Sequence, residues 1–223
     1  MKLFADPIST TSRPILMFLA EHRLPVEVIA VNLMDGAHMQ PDYALLNPNL
    51  AVPTLVDGDF VLTESSAILK YLADEAGSDA YPRGAKVRAR VNQAMDWFNT
   101  GFYRDFGYGL VYPQTFAHCA FPNATTQADV IRRGHERADF WLGVLNDHWL
   151  ADTAHLCGPE ASIADFLGAS YLSIGDWVGF DLERHPNVAR WMRAMRSRPS
   201  WAAVHEAWNG LAASFRSQIV QSA

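Results

Sequence analysis

Ala51-Val52-Pro53-Thr54-Leu55-Val56-Asp57-Gly58-Asp59-Phe60-Val61-Leu62-Thr63-Glu64-Ser65-Ser66-Ala67-Ile68-Leu69 places a proline, two short strands and a helix start within 19 residues. Thr54-Leu55-Val56 and Phe60-Val61-Leu62 read as β-strands joined through Asp57-Gly58, a dipeptide suited to a tight hairpin turn because glycine reaches positive φ without steric cost. Ala67, Ile68, Leu69, Tyr71 and Leu72 recur at helical spacing behind Glu64-Ser65-Ser66. Upstream, Lys2 to Ala5 reads as a strand. Ile15, Leu16, Phe18 and Leu19 form a helical stripe with Ser12 and Pro14 as start signals, and Val26 to Val31 is a β-branched strand. The order βαβ, a loop with a short helix, then ββα predicts a small mixed sheet with helices on it.

Beyond residue 78 the composition changes. Residues 1 to 78 hold four Lys/Arg against ten Asp/Glu, whereas residues 79 to 223 hold fourteen of each and all seven tryptophans. The junction Gly77-Ser78-Asp79-Ala80-Tyr81-Pro82-Arg83-Gly84 is rich in turn formers. The expected organisation is an α/β domain over 1–78, a linker over 79–85 and an all-α domain over 86–223. In the second part Val87 to Phe106, Thr126 to Leu150, Ile163 to Trp177, Val188 to Arg196 and Trp201 to Ile219 show helical patterning, and Ser162-Ile163-Ala164-Asp165 has the form of a capping box.

Several function classes are excluded at this level. The net charge of −6 and the absence of any basic run longer than Arg132–Arg133 argue against nucleic acid as a partner. The longest apolar stretch, Pro14 to Ala20, is about a third of the roughly 20 residues that a membrane helix needs, and no signal peptide precedes it. The expectation is a soluble, cytoplasmic protein without a membrane partner. Cys119 and Cys157 form no CxxC, and the histidines show no metal-ligand spacing, so no disulfide framework and no metal are expected.

Three turns carry candidate chemistry. Val52-Pro53-Thr54 has a proline at a strand entrance; a cis bond there would turn the Val52 backbone outward to pair with an extended peptide, and an ordinary trans proline is the plain alternative. Thr63-Glu64-Ser65-Ser66 ends a strand and opens a helix, so its exposed N–H groups and hydroxyls suit a carboxylate and Glu64 suits an ammonium, although a simple N-cap would use the same residues. Ser9-Thr10-Thr11-Ser12 precedes the first helix, where a hydroxyl can donate to a thiolate or can merely cap. A thiol of pKa about 8.5 is only about 3% ionised at pH 7, so lowering it by about two units raises the nucleophile up to about 25-fold.

Taken in order, Ser9 ahead of Arg13, His38 in Gly36-Ala37-His38, Asn47-Pro48 before Val52-Pro53-Thr54-Leu55, Thr63-Glu64-Ser65-Ser66-Ala67-Ile68 and Ser162-Ile163-Ala164-Asp165-Phe166 resemble the cytosolic glutathione transferases over essentially the whole chain. The serine at position 9 is similar to the theta and delta classes rather than to those using tyrosine or cysteine. The resemblance implies a thioredoxin-like N-terminal domain, an all-helical C-terminal domain, glutathione as co-substrate and a homodimer with its interface near Val87 to Phe106, Ser66 and Ala67. It also implies that Ser9 holds the glutathione sulfur, with Ser12 as competitor, that Pro53 is cis and Val52 pairs with the cysteinyl unit, that Glu64 and Ser65 hold the γ-glutamyl end, and that His38 reaches the glycyl carboxylate. Asp165 is expected to stabilise the fold only.

One departure concerns the glycyl carboxylate. Related enzymes commonly carry Lys or His between the two prolines, where this chain has Asn49-Leu50-Ala51, leaving Asn49 as the only donor there. For the second substrate, nine of the 25 residues from Trp97 to Phe121 are aromatic. Phe106-Gly107-Tyr108-Gly109 followed by Tyr112-Pro113 is expected to break the helix, leaving an aromatic-walled cavity on an irregular segment, lined by Phe102, Tyr103, Phe106, Tyr108 and Tyr112 with Arg104 as the nearby cation. The expected activity is attack of the glutathione thiolate on a small hydrophobic, aromatic electrophile. Ether cleavage, dehalogenation and peroxide reduction would use the same thiolate, and a non-catalytic binding module is the competing reading.

Overall fold

The structure, a computed structural model, describes residues 1–222; Ala223, the last residue of the expected helical domain, lies outside them. The N-terminal part runs β1 (Lys2–Ala5), α1 (Arg13–His22), β2 (Glu27–Ala30), a 3₁₀ turn at Ala37–Met39, α2 (Pro41–Leu46), β3 (Thr54–Asp57), β4 (Phe60–Thr63) and α3 (Ser65–Glu75). The sheet order is β2-β1-β3-β4, with β1 parallel to β2 and antiparallel to β3, and β3 antiparallel to β4. This is the small mixed sheet expected from the strand order, in the thioredoxin-like arrangement that the family resemblance implies. Side chains alternate across β1: Leu3 and Ala5 enter the main core, while Phe4 packs on the other face against Val31, Tyr43 and Val52. Asp57 still pairs with Phe60, so the hairpin turn falls one residue later than expected, at Gly58-Asp59, with Gly58 at φ +61.

The helical part contains α4 (Ala85–Trp97), α5 (Tyr112–Thr115), α6 (Ala124–Val144), α7 (Ile163–Leu172), α8 (Pro186–Arg196) and α9 (Pro199–Ser222). One expectation is corrected here. The Gly-rich aromatic stretch does not become irregular: Phe98–Phe102 and Arg104–Val111 continue α4 in wide π-type turns. Glycine serves close packing here: a Cβ on Gly101 would lie 2.7 Å from the Trp141 ring, and a Cβ on Gly134 of α6 would lie 2.6 Å from the Gly109 carbonyl oxygen. Asp105, in the same stretch, accepts from Arg137 Nε and Trp141 Nε1, both at 2.9 Å, which ties it to α6.

α1 lies between the sheet and the helical part. Ile15, Met17 and Phe18 are fully buried, and α1 packs on α3, α7 and α9. Burial of each such side chain is worth about 1.5–3 kcal/mol, so the two parts share one core. The capping box forms: Ser162 and Asp165 exchange hydrogen bonds at the start of α7, and the carboxylate, fully buried, also accepts from Leu156 N–H and Trp191 Nε1 at 2.9 Å each. No helix among the described residues is long and apolar enough to cross a membrane.

Candidate active site

Strand pairing brings the three turns together. Phe4, Thr54 and Thr63 form one cross-strand row, so the end of β1, the start of β3 and the end of β4 meet at one edge of the sheet. The residues beyond them are Asp6 to Ser12, Val52-Pro53 and Glu64-Ser65. The Val52–Pro53 peptide is cis.

Each turn has its own support. Asp6 orders the first: its carboxylate accepts from Ile8 N–H at 2.9 Å and from Leu33 N–H at 2.8 Å. The Tyr43 hydroxyl and Asn47 Nδ2 both donate to the Ala51 carbonyl, at 2.8 and 2.7 Å, which holds the approach to Val52. Glu64 opens α3 with φ +68, a left-handed conformation that a residue with a Cβ adopts at a cost of about 1–3 kcal/mol; such costs cluster at functional positions. Ser65, the first helical residue, is buried beside it.

Ser9 and Ser12 separate clearly. Ser12 is fully buried and its Oγ lies 3.5 Å from Asp6 N, turned into the protein. Ser9 retains 8% exposure; its Oγ accepts from Ser12 N–H at 3.2 Å and lies 3.0 Å from Thr11 Oγ. Thr11 Oγ in turn donates to the Val52 carbonyl at 2.9 Å, taking one of that oxygen's two lone pairs. His38 stands on the 3₁₀ turn with a buried Nδ1 that has no protein partner. Neighbouring Ala37 packs on the cluster containing Val52. Asn49 is exposed, its N–H accepted by Asn47 Oδ1 in a turn where Leu50 takes φ +54.

The aromatic residues divide in two. Phe102 and Phe106 are fully buried, stacked on each other with centroids 4.9 Å apart, and are corrected to core residues: their place on the helix face toward Phe98 and Phe180 gives them no open surface. Tyr103, Tyr108 and Tyr112 do gather. The Tyr103 and Tyr112 hydroxyls are hydrogen bonded, the Tyr112 hydroxyl lies 3.5 Å from Thr10 Oγ beside Ser9, and Tyr108, 60% exposed, stands edge-on to both rings. Burial pushes the Tyr103 phenol well up and raises Tyr112 as well, so both remain protonated donors at neutral pH.

The cation near these phenols is Arg13, not Arg104, which is exposed and paired with Asp105. Arg13 is fully buried; it donates to Ser173 Oγ at 2.9 Å and to the Ser170 carbonyl at 3.2 Å, and stacks 3.2 Å from the Trp208 centroid. Desolvation pulls its pKa down to about 9, which leaves it charged at neutral pH. Sequence reading did not single out Thr11, Asp6 or Tyr171. Tyr171 stacks on Tyr103 at 4.2 Å and donates to Asn99 Oδ1 at 2.9 Å; no local pattern marks a contact across 72 residues. A cavity of about 420 Å³ at the other end of α1, lined by Glu21, His22 and Arg198 among others, contains none of the candidate residues.

Comparison with known proteins agrees with this geometry. The family model described as the glutathione S-transferase N-terminal domain matches residues 1–74. Mouse glutathione S-transferase theta-1 is 30% identical over 200 residues, covering 88% of this chain and 82% of that protein. Human glutathione S-transferase theta-2 is 31% identical over 196 residues, covering 86% and 78%. Among solved structures, human glutathione transferase theta-2 in complex with glutathione and an unknown ligand superposes with a TM-score of 0.84 at 27% identity, covering 99% of this chain and 90% of that one. The apo form of human glutathione S-transferase T1-1 gives 0.80 at 28% identity, covering 92% and 88%. A three-turn site at the edge of a thioredoxin-like sheet, backed by a helical part and matched along most of the length of theta-class enzymes, shows that this chain belongs to the glutathione S-transferase family.

Proposed function

We propose that this glutathione transferase binds glutathione across the three turns and activates its thiol with Ser9. The observation that carries the reading is the convergence of Ser9, the cis Val52–Pro53 turn and Glu64-Ser65 at one sheet edge. Ser9 Oγ–H donates to the sulfur. The Val52 backbone pairs with the cysteinyl unit, Glu64 and Ser65 hold the γ-glutamyl ammonium and carboxylate, and His38 with Asn49 faces the glycyl carboxylate. The unpartnered His38 Nδ1 supports that last role. In this reading residues 1–78 are the glutathione-binding unit, 79–85 the linker and 86–223 the unit that presents the second substrate.

That substrate is a small hydrophobic, aromatic electrophile resting against Tyr108, Tyr103 and Tyr112, with the neutral phenols as donors to charge that develops as the thiolate attacks. The protein acts in the cytoplasm as a homodimer. The half-exposed Phe60 and Val61 on edge strand β4 and Val87 on α4 support an apolar interface there.

A hydrogen bond to a charged acceptor is worth about 1.5–3 kcal/mol, or about one to two pH units. Ultraviolet titration of the thiolate of bound glutathione tests the assignment. Ser9→Ala is expected to raise the bound thiol's pKa by that amount while leaving glutathione bound; an unmoved pKa removes Ser9 from the role.

A further inference from the structure

The hydroxyls around Ser9 have only one consistent arrangement of protons. A hydroxyl carries a single hydrogen, a carbonyl can only accept, and a backbone N–H can only donate. Thr11 Oγ lies 2.9 Å from the Val52 carbonyl oxygen and therefore gives its hydrogen there. Toward Ser9 Oγ, 3.0 Å away, Thr11 presents a lone pair, so Ser9 is the donor in that contact. The remaining neighbour of Ser9 Oγ is the Ser12 N–H at 3.2 Å, which occupies a Ser9 lone pair. The only Ser9 proton is thus directed at Thr11, and Ser9 must break that bond to donate to a sulfur.

We propose that Thr11 is a positioning residue that holds the Ser9 proton at rest and thereby sets the basicity of the bound thiolate. The inference rests on Ser9 being the donor to glutathione. Its consequence is a brake: ionising the thiol exchanges one neutral hydrogen bond for one charged bond, so the thiol's pKa falls by less than an unencumbered serine would achieve. The brake is useful chemically. A thiolate loses nucleophilicity as its pKa falls, with a Brønsted slope of about 0.4–0.5, so a partial depression keeps the sulfur reactive while ionising it. No covalent step is involved; the hydroxyl of Ser9 rotates, and the thiol proton leaves as it does in the family's reaction.

The test combines Thr11→Val, Thr11→Ala, Thr11→Ser, Ser9→Ala and the double variant Ser9→Ala/Thr11→Val in the full chain, with glutathione as the probe. Bound-thiol pKa is read by ultraviolet titration and the pH–rate profile is measured with a chromogenic aryl halide. Thr11→Val is expected to lower the pKa by about 0.5–1 unit, the size of one net neutral hydrogen bond. It should also reduce the high-pH plateau rate about two-fold by the Brønsted slope. Thr11→Ser should match the wild type, and Thr11→Ala should repeat the valine result if valine impairs folding. In the double variant the Thr11 change should have no further effect, because its action passes through Ser9. If Ser9→Ala raises the pKa but neither Thr11→Val nor Thr11→Ala lowers it, or if affinity alone changes, the Thr11 assignment is overturned while the glutathione site stands. If Ser9→Ala leaves the pKa unmoved, both assignments fall.

Discussion

Asp165→Ala removes the acceptor of four hydrogen bonds in the interior of the helical part. Oδ2 accepts from the Ser162 N–H and hydroxyl, each at 2.8 Å, and Oδ1 accepts from Leu156 N–H and Trp191 Nε1, each at 2.9 Å. The carboxylate is fully buried, and so are Trp191 and most of Leu156. The Ser162 hydroxyl can rotate to another partner, but the two backbone donors and the indole N–H have fixed directions. Each buried donor left unmade costs about 1–3 kcal/mol, so the three together cost about 3–6 kcal/mol when some relaxation is allowed. Against a typical domain stability of about 5–15 kcal/mol this brings the fold close to its limit. Urea unfolding followed by tryptophan fluorescence measures it, with Trp191 itself a reporter. Asp165→Asn keeps one acceptor oxygen and should lose about half as much. Glutathione affinity per folded molecule should be unchanged in both, because Asp165 lies outside the three turns. A loss below about 1 kcal/mol for Asp165→Ala would refute the reasoning, since it would mean that the donors find other partners.

Glu64→Gly should raise thermal stability by up to about 1 kcal/mol, because glycine adopts φ +68 without a Cβ clash, and should weaken glutathione binding at least tenfold by calorimetry; lower stability would show that the backbone is not strained there. His205 is held neutral, its pKa lowered to about 3 by burial and then by Arg13, while the unfolded chain binds that proton near pH 6.5. The unfolded state therefore binds more protons between those values, stability is lost as pH falls through that window, and about 2 kcal/mol should disappear between pH 7.5 and pH 5, with His205→Gln flattening the dependence of the urea midpoint. Tyr112→Phe deletes the hydroxyl shared with Tyr103 and Thr10 and should lower kcat for an aryl halide about 10-fold with unchanged glutathione affinity; an equal effect on glutathione binding would place the phenol in the glutathione site.

Much of the fold is legible along the chain because its signals are local. Alternation in Thr54 to Val56, the Asp57-Gly58 turn and the helical stripe of α3 each act over a few residues, and each forms within a residue or two of its expected place. The Ser162–Asp165 capping box is equally local, with both partners inside one helical turn. The aromatic stretch was misread because π-type turns shift the periodicity that sequence reading relies on. Phe102 and Phe106, four apart, look like pocket walls in a segment expected to be irregular, and they stack in the core once the backbone stays helical.

The chain's own pattern is enough to specify a βαβ–ββα unit followed by helices, and to mark the turns at Ser9 to Ser12, Val52-Pro53 and Glu64-Ser65 as candidates, because propensity, turn chemistry and capping depend on near neighbours. The difference in burial between Ser9, 8% exposed, and Ser12, fully buried, is set by α1's neighbours. Likewise the Thr11–Val52 bond spans 41 residues, the Tyr112–Thr10 contact 102, and the Arg13–Ser173 bond 160. Contacts of that separation leave no periodic trace, since they exist only after the sheet edge and the helical part have packed against each other.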